Sequence, residues 1–353
     1  MSNIIKRESN KNIKNEDISI IYEDIKNKIQ NARAKIYKYI DNSVVEIYWY
    51  VGKIVNELVE NNTRAEYGKA IIDKLSFKLT KEFGEGFTSD NIRRMKRFYI
   101  VFPIWDAVRP ELSWSHFREL IKIIRKDERE FYLQESIKSN WGYRELKRQI
   151  NTKLYDRLAI SKDKEYVKKM SEEGLIINKP EDILKNPYIF EFAGLKQDKH
   201  YLEKDIQKSL LAHLTEFLLE LGRGFYYAGE QCKMKIGEDY FYPDLVFYNR
   251  LAKCFVIIDL KVGMLTHGDI GQMQMYVNYY KKTQMFEEEN EPIGILLCAG
   301  KNDTMVEMTL GDNKNVYASQ YLTFLPTKEE LIEVINSEKE KIEQVIEDNN
   351  ETT

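Results

Sequence analysis

The stretch FYPDLVFYNRLAKCFVIIDLKVG, residues 241–263, contains two apolar segments separated by a short polar turn. Three charged residues, Asp244, Asp259 and Lys261, stand inside the apolar segments. Successive side chains of a strand point to opposite faces, so Asp259 and Lys261 share one face. If the two segments pair as a hairpin around NRLA (249–252), Asp244 lies beside Asp259. The sequence therefore predicts three charges at one end of one sheet face.

Such a cluster has a chemical use at a phosphodiester. Two neighbouring carboxylates repel each other unless a cation lies between them, and hard oxygen ligands of this kind suit Mg²⁺. A divalent ion can activate water and neutralise phosphate oxygens, while a lysine beside it positions or deprotonates the water or stabilises the transition state. From spacing alone, a solvated Asp–Lys ion pair at a strand end is the alternative. The three residues by themselves leave both interpretations open.

The segments around this hairpin predict the order α-β-β-β-α-β. An amphipathic helix precedes the strands, and a further helix and an apolar strand follow them. The predicted elements cover residues 202–221, 225–236, 239–248, 253–262, 268–282 and 293–300. We assign this domain to residues 200–326.

The first half of the chain predicts helices instead. Apolar residues recur there at spacings of three and four, and the first helix is expected over residues 18–58. Gly174, Pro180 and Pro187 interrupt a charged segment, which is the composition of a connector. We therefore expect a two-domain α+β protein with an all-α N-terminal domain. The other expected segments are a polar arm at 1–17, the helical domain at 18–158, the connector at 159–199, and a C-terminal helix with a frayed tail at 327–353.

Composition excludes some classes of protein. The 353 residues are 43% hydrophobic and 31% charged, which excludes a disordered chain. The formal net charge of -3 gives no overall positive field, so nucleic-acid binding would depend on local basic patches. No segment has the pattern of a signal peptide or a membrane span, and the three separated cysteines are typical of reduced thiols. These features predict a cytoplasmic protein.

Two basic clusters lie in the helical half. Residues 69–102 predict a helix, a glycine-containing turn and a second helix whose apolar stripe includes Ile92 and Met95. Cationic residues project elsewhere from that second helix, and more follow on a later one. The candidate nucleic-acid contacts are Arg93, Arg94, Lys96, Arg97, Arg144, Lys147 and Arg148. A helix-turn-helix and a solvated basic surface are both open interpretations.

The chain as a whole resembles the PD-(D/E)xK nuclease superfamily, and more narrowly its YhcG-like family, in which a helical domain precedes the nuclease domain. The resemblance covers nearly the whole chain and rests on the order of many short motifs. They are EIYWYVGKIV (46–55), YGKAIIDKLSFKLTKEF (67–83), LSWSHFREL (112–120), SNWGYRELKRQI (139–150), NPYIFEFAGL (186–195), FLLELGRGFYYAGEQ (217–231), the acidic strands, and GQMQMYVNYY (271–280).

This resemblance implies a restriction-endonuclease-like core in the C-terminal domain. It also implies that Asp244 and Asp259 bind Mg²⁺ or Mn²⁺ and that Lys261 is the catalytic lysine. Gln272 corresponds to the glutamine that faces the site from the following helix. We therefore take Asp244, Asp259, Lys261 and Gln272 as the candidate catalytic set.

Two positions depart from the family pattern. Asp259 stands where the family usually has Glu, and its side chain is one methylene shorter, so it must reach a metal differently. Gln207 stands where the family commonly has a Glu in the helix before the sheet, and a neutral amide is a weaker cation ligand. Glu203, one turn earlier, is a candidate to compensate.

These observations predict a Mg²⁺-dependent endodeoxyribonuclease that acts in foreign-DNA defence, repair or mobile-element control. One alternative is a nucleic-acid-binding protein on a nuclease-like scaffold whose site is weak or inactive, and another is an interaction module whose helical half serves oligomerisation through its long first helix. DNA is the expected partner. A homodimer, which would cut both strands with one site per chain, and a protein partner of the helical domain are further expectations.

Overall fold

The structure is a computed structural model. It describes residues 15–60, 65–105, 111–159, 164–195, 201–310, 315–327, 329–337 and 340. Residues 1–14 of the predicted arm and residues 341–353 of the predicted tail lie outside the described residues. The chain divides into two compact units, Met1–Lys122 and Ile123–Thr353. This division follows spatial packing, and the domain boundaries inferred from the sequence stay a prediction.

The first unit is helical, as its sequence spacing predicts. Its helices are α1 (Asn15–Glu60), α2 (Ala65–Phe83), α3 (Ser89–Val101) and α4 (Trp114–Leu120). Val55, Ile92 and Met95 are fully buried and form the core between α1, α2 and α3. A Cβ at Gly52 would lie 2.1 Å from the carbonyl oxygen of Met95, so the glycine lets α1 and α3 approach closely.

The second unit combines helices with two sheets. Its helices are α5 (Lys126–Lys138), α6 (Tyr143–Asn151), α7 (Leu154–Ala159), α8 (Lys164–Glu173), α9 (Glu203–Ala212), α10 (Leu214–Leu221), α11 (His267–Thr283) and α12 (Asp303–Leu310). The helix predicted over 202–221 is divided at His213, where φ of -116° and ψ of 41° leave the helical region. Among the described helices, none combines the length and apolar character that a membrane span requires.

The larger sheet has the order β1-β8-β7-β6-β5-β2. The strands are β1 (Tyr188–Ile189), β2 (Phe225–Glu230), β3 (Met234–Ile236), β4 (Asp239–Phe241), β5 (Leu245–Asn249), β6 (Cys254–Met264), β7 (Ile293–Gly300) and β8 (Val316–Leu322). β2, β5 and β6 are antiparallel, whereas β6, β7, β8 and β1 are parallel. Within it, α9, β2, β5, β6, α11 and β7 have the predicted α-β-β-β-α-β order, and the predicted α+β class is confirmed.

Two of the predicted strands are each divided in two. Residues 225–236 form β2 and β3, and residues 239–248 form β4 and β5, because β3 and β4 leave the main sheet as a separate antiparallel pair. Gln231 has a φ of 46° at the first break, and Gly237 has a φ of 63° in the turn between β3 and β4. This short ribbon therefore projects beside the strand ends that carry the acidic residues.

Each face of the sheet packs against its own helices. Phe217, Phe247 and Ile258 belong to the apolar cluster on the face covered by α9 and α10. Ile257 and Met273 belong to the cluster on the opposite face, covered by α11. Because side chains alternate along β6, Asp259 and Lys261 belong to the α11 face. The fold thus places α11 over the strand end of interest.

A buried ion-pair network ties α6, α7 and α10 together. The side chain of Glu220 is fully buried, and its carboxylate accepts hydrogen bonds from Arg157 at 2.6 Å and Arg148 at 3.1 Å. Lys185 donates to the carbonyl oxygen of Glu220. Burial acts to raise the pKa of Glu220, but the charges of its three basic neighbours lower it to about 2. The folded protein therefore holds Glu220 as a carboxylate.

Replacement of Glu220 with Gln should destabilise the protein by about 3 kcal/mol, because two arginines lose their buried counter-charge. The depressed pKa stabilises the folded state above the ordinary value of 4.5, and this contribution is lost as the pH falls toward about 2. Urea denaturation between pH 3 and pH 7 measures both effects. Glu216→Gln, at an exposed position of the same helix, is the control. A Glu220→Gln variant as stable as the wild type would contradict this role.

Candidate active site

The register of β5 and β6 brings the two acidic residues together. Leu245 pairs with Ile258, so Asp244, immediately before β5, continues this register to Asp259. The backbone N–H of Asp244 lies 3.4 Å from Oδ1 of Asp259. Oδ2 of Asp244 accepts a hydrogen bond of 2.9 Å from the backbone N–H of Leu260. The predicted hairpin pairing is confirmed, and the two carboxylates occupy the same strand end.

Lys261 lies on the same face as Asp259 and contacts it directly. Its Nζ is 2.8 Å from Oδ2 of Asp259, 3.7 Å from Asp269 and 3.9 Å from Glu203. Partial burial acts to lower the pKa of Lys261, but the hydrogen bond and charge of Asp259, followed by the charges of the other two acids, raise it above its usual value. The lysine is therefore held as a cation among carboxylates.

The surroundings of Asp244 disfavour its charged form, whereas those of Lys261 favour the charged form of the lysine. Burial and then the charge of Asp259 raise its pKa from 3.8 to about 6, although the Leu260 N–H and Lys261 act in the other direction. Gln231 donates a hydrogen bond of 3.1 Å to its Oδ1. A carboxylate whose ionisation is opposed by a second carboxylate is stabilised by a nearby cation. The electrostatics at Asp244 therefore favour a cation at this strand end.

The donor set fits a Mg²⁺ ion whose remaining ligands come from water and substrate. Mg²⁺ is commonly bound by one or two carboxylates together with water and substrate phosphate. Asp244 and Asp259 supply two such carboxylates. Among the described residues, no group of three or more His, Cys, Asp or Glu side chains is arranged to hold a metal ion. This protein thus offers an open pair of acids and no closed metal cage in the part of the chain that the structure describes.

Gln207 has a positioning role in this structure. Its amide Nε2 donates a hydrogen bond of 2.9 Å to the backbone carbonyl of Asp244, and its side chain is almost fully buried. Glu203, one turn earlier on α9, is half exposed and lies at 3.9 Å from Lys261. Glu203 therefore contributes negative charge near the lysine, whereas Gln207 holds the backbone at Asp244.

Gln272 reaches the site through a tyrosine. Its Nε2 donates to the hydroxyl of Tyr276, which lies one turn further along α11. Tyr276 is 1% exposed, and its pKa is raised first by burial and then by the charge of Asp259. The structure therefore places the Gln272 amide beside a hydroxyl whose pKa is raised in part by the charge of Asp259.

Two neighbours of this cluster were missed by the sequence reasoning. Tyr276 belongs to an apolar stripe of α11, and only its i,i+4 spacing from Gln272 carries a signal. Asp269 belongs to the capping box at the start of α11, where Thr266 accepts a hydrogen bond from its backbone N–H. The capping pattern THGD was a usable signal, because it fixes an acid at the helix end that follows the lysine strand.

The candidate nucleic-acid residues fall on two separate helices. Arg94 and Arg97 are exposed on α3 and Lys96 is half-buried there, while Arg93 forms ion pairs with Asp73 and Asp90. These residues belong to the first unit.

On α6, in the second unit, Arg144 and Lys147 are exposed. Arg148 instead lies in the internal network, with Glu191 at 2.6 Å and Glu220 at 3.1 Å. Arg148 therefore has structural partners inside the second unit.

Two family models match the chain. Residues 181–336 match the YhcG PDDEXK nuclease domain, and residues 24–157 match the DUF1016 N-terminal domain. A protein of Escherichia coli (strain K12) named "Putative nuclease YhcG" is 30% identical over 345 residues, which cover 88% of this chain and 92% of that protein. The chain belongs to the YhcG family. The resemblance inferred from the motifs is confirmed, and the C-terminal region is a YhcG nuclease domain of the PDDEXK type.

One solved structure has a weak likeness to the chain. A crystal structure of a repair endonuclease from Pyrococcus abyssi aligns with 35% of this YhcG-family chain and 49% of that chain, at 15% identity and a TM-score of 0.25. A score this low supports no argument about the present fold or site. The family assignment therefore rests on the sequence relationship.

Replacement of Asp244 with Asn should stabilise the metal-free protein at pH 8 by up to about 3 kcal/mol, the equivalent of a pKa shift of about two units. The raised pKa of Asp244 means that wild-type stability falls as the pH rises from 3.8 to about 6 and stays reduced above it. The advantage of the variant should therefore shrink toward pH 4. Urea denaturation in chelator tests this, with Asp239→Asn at an exposed position of β4 as control. A variant less stable than wild type at pH 8 would show that Asp244 is not under repulsion.

Proposed function

We propose that this YhcG-family protein is a divalent-metal-dependent endonuclease that hydrolyses phosphodiester bonds of DNA. The observation that carries the proposal is the contact of Asp244, Asp259 and Lys261 at one strand end of a PDDEXK nuclease domain. A solvated ion pair would not require the second acid. Asp244 is partly buried and its ionisation is opposed by burial and by Asp259, which favours a site that binds a cation and a phosphate.

In this proposal Asp244 and Asp259 hold Mg²⁺ or Mn²⁺ through carboxylate oxygens. The ion, when bound, neutralises phosphate oxygens and lowers the pKa of water. Lys261 supplies a fixed positive charge within 2.8 Å of Asp259. Its raised pKa supports a role in stabilising negative charge on the phosphate over a role as general base. The Gln272–Tyr276 pair orients donors at the edge of the same site.

The N-terminal helical unit supplies a candidate DNA contact in the same proposal. Arg94 and Arg97 are exposed on α3, three residues apart, and α3 follows a turn at residues 84–88 after α2. Residues three apart lie on one side of a helix, so both guanidinium groups can reach one phosphate backbone. We place non-specific DNA binding on this surface and hydrolysis on the C-terminal domain.

The 353-residue chain should cut DNA with Mg²⁺ or Mn²⁺ and fail to cut it in chelator. The substrates are supercoiled, linear, single-stranded and branched DNA, with an RNA of matched sequence to test the sugar preference. Lys261→Ala should reduce the cleavage rate by about 100-fold or more, because charge stabilisation in the transition state is lost. Lys282→Ala, at an exposed position of α11, is the matched control.

Several outcomes separate this proposal from its alternative. Equal cleavage by wild type, Lys261→Ala and Asp244→Asn would mean that the site lies elsewhere or that a contaminant cuts. DNA binding without cleavage, unchanged in Lys261→Ala and with no heat of Mg²⁺ or Mn²⁺ binding by calorimetry, would favour a non-catalytic DNA-binding protein on this scaffold.

The double variant Arg94→Glu with Arg97→Glu should weaken DNA binding about 10-fold or more and reduce its salt dependence by about two ions. The reason is the loss of two cation–phosphate contacts and their replacement by repulsion. Fluorescence anisotropy over a salt series measures both quantities. Lys74→Glu with Lys78→Glu, at exposed positions of α2, is the control with the same charge change. Equal weakening of DNA binding by the two double variants would mean that the effect comes from net charge alone.

A further inference from the structure

Helix α1 carries two separate apolar faces. Val45, Gly52 and Val55 are buried on the face that packs within the first unit. A second apolar face, which we call the exposed stripe, is about 140° away around the helix at 100° per residue. The stripe consists of Tyr22, Ile25, Ile29, Ala32, Ile36, Ile40, Ser43, Ile47 and Tyr50. One apolar face of α1 thus packs inside the first unit, and the other apolar face is exposed.

The large side chains of the stripe are between 48% and 61% exposed. An apolar face of this length on a soluble protein marks an interaction site. At roughly 100 Å² for each of the seven large side chains, the stripe offers about 700 Å² per copy, close to the ~800 Å² that each partner contributes to a standard interface. The stripe is therefore large enough to sustain a stable association.

The spacing of the stripe is the same in both directions from Ile36. Going outward, the intervals are four, three, four and three residues toward Tyr50 and toward Tyr22 alike. The eight intervals cover 28 residues, a mean of 3.5, which is the period of a left-handed coiled coil. An antiparallel two-fold pairing at Ile36 would match Tyr22 with Tyr50 and Ile25 with Ile47.

Residue type follows the same symmetry at most positions. Tyr meets Tyr and Ile meets Ile in the two outer pairs, Ala32 meets Ile40, and Ile36 meets itself. Two pairs join unlike residues: Ala32–Ile40 joins a small and a large apolar side chain, and Ile29–Ser43 joins an apolar and a polar one. Self-complementarity of this kind is what an isologous interface between two copies of one chain requires. A different partner protein would not require the stripe to mirror itself.

Charge also distinguishes the two orientations. Residues 22–35 contain four basic and two acidic residues, whereas residues 37–50 contain one basic and two acidic residues. Antiparallel pairing sets the basic half of one helix beside the acidic half of the other, while parallel pairing sets like halves together. Lys28 and Glu46 lie on the same flank of the stripe, so an antiparallel pair brings Lys28 of one copy near Glu46 of the other.

We infer that two copies of this chain associate through α1 as an antiparallel coiled coil whose two-fold axis passes at Ile36. This dimer closes on itself, because each copy uses the same surface. It places one PDDEXK domain on each copy and does not depend on whether that domain cuts DNA. The partner is a second copy of the chain, and the exposed stripe is its docking surface.

Light scattering on the 353-residue chain after size exclusion tests the association. The wild type should have twice the chain mass of 41.9 kDa, and Ile36→Glu should have 41.9 kDa, since the symmetric pairing buries two glutamates against each other. Asn27→Glu with Asn31→Glu, on the exposed opposite side of α1, should remain dimeric. Circular dichroism verifies that every variant keeps its helices.

A charge exchange tests the orientation. Lys28→Glu alone should raise the dissociation constant of the dimer several-fold, and Lys28→Glu with Glu46→Lys should restore it, as measured by sedimentation. In a parallel pair, Lys28→Glu would relieve repulsion between basic halves and lower the constant. A wild-type monomer at about 100 µM, a dimer unaffected by Ile36→Glu, or a dimer strengthened by Lys28→Glu would each overturn the inference.

Discussion

The site depends on the register between β5 and β6. A one-residue shift would move Asp244 away from Asp259 and turn its side chain to the other face of the sheet. The register is held by the apolar residues of both strands, because Val246 and Ile257 pack under α11 while Phe247 and Ile258 pack on the opposite face. Burial of both faces therefore fixes two carboxylates at one point although the charge of Asp259 opposes the ionisation of Asp244.

Lys261 and Asp244 approach different oxygens of the Asp259 carboxylate. The Nζ of Lys261 contacts Oδ2 of Asp259, whereas the backbone N–H of Asp244 lies near Oδ1. Asp259 is 5% exposed, so water contributes little to its stabilisation. Burial and then the negative charge of Asp259 raise the pKa of Asp244, and the same charge, acting against burial, raises the pKa of Lys261. This combination favours a lysine that stays protonated and an acid pair that gains from a cation.

Local pattern predicted the hairpin, the strand order and the acid–acid–lysine cluster, because side-chain alternation and turn residues act over short distances. Other features depended on contacts between distant segments. β8 mixes polar and apolar residues at the sheet margin, and β1 is two residues long, so neither had a clear period in the sequence. Arg148 looked like a surface cation, yet it pairs with Glu191 and Glu220, which are 43 and 72 residues away along the chain.

The two departures from the family pattern, Asp259 and Gln207, both affect how charge is balanced in the site. Around Lys261 stand Asp259, Asp269 and Glu203, with Asp244 beside Asp259, so four formal negative charges face one positive charge. A Glu in place of Gln207 would add a fifth charge beside the backbone of Asp244. The neutral amide instead donates a hydrogen bond to that backbone and fixes the acid whose ionisation is already opposed. The shorter Asp259 has one oxygen directed to each side of the cluster, which links the lysine to Asp244 through a single buried carboxylate.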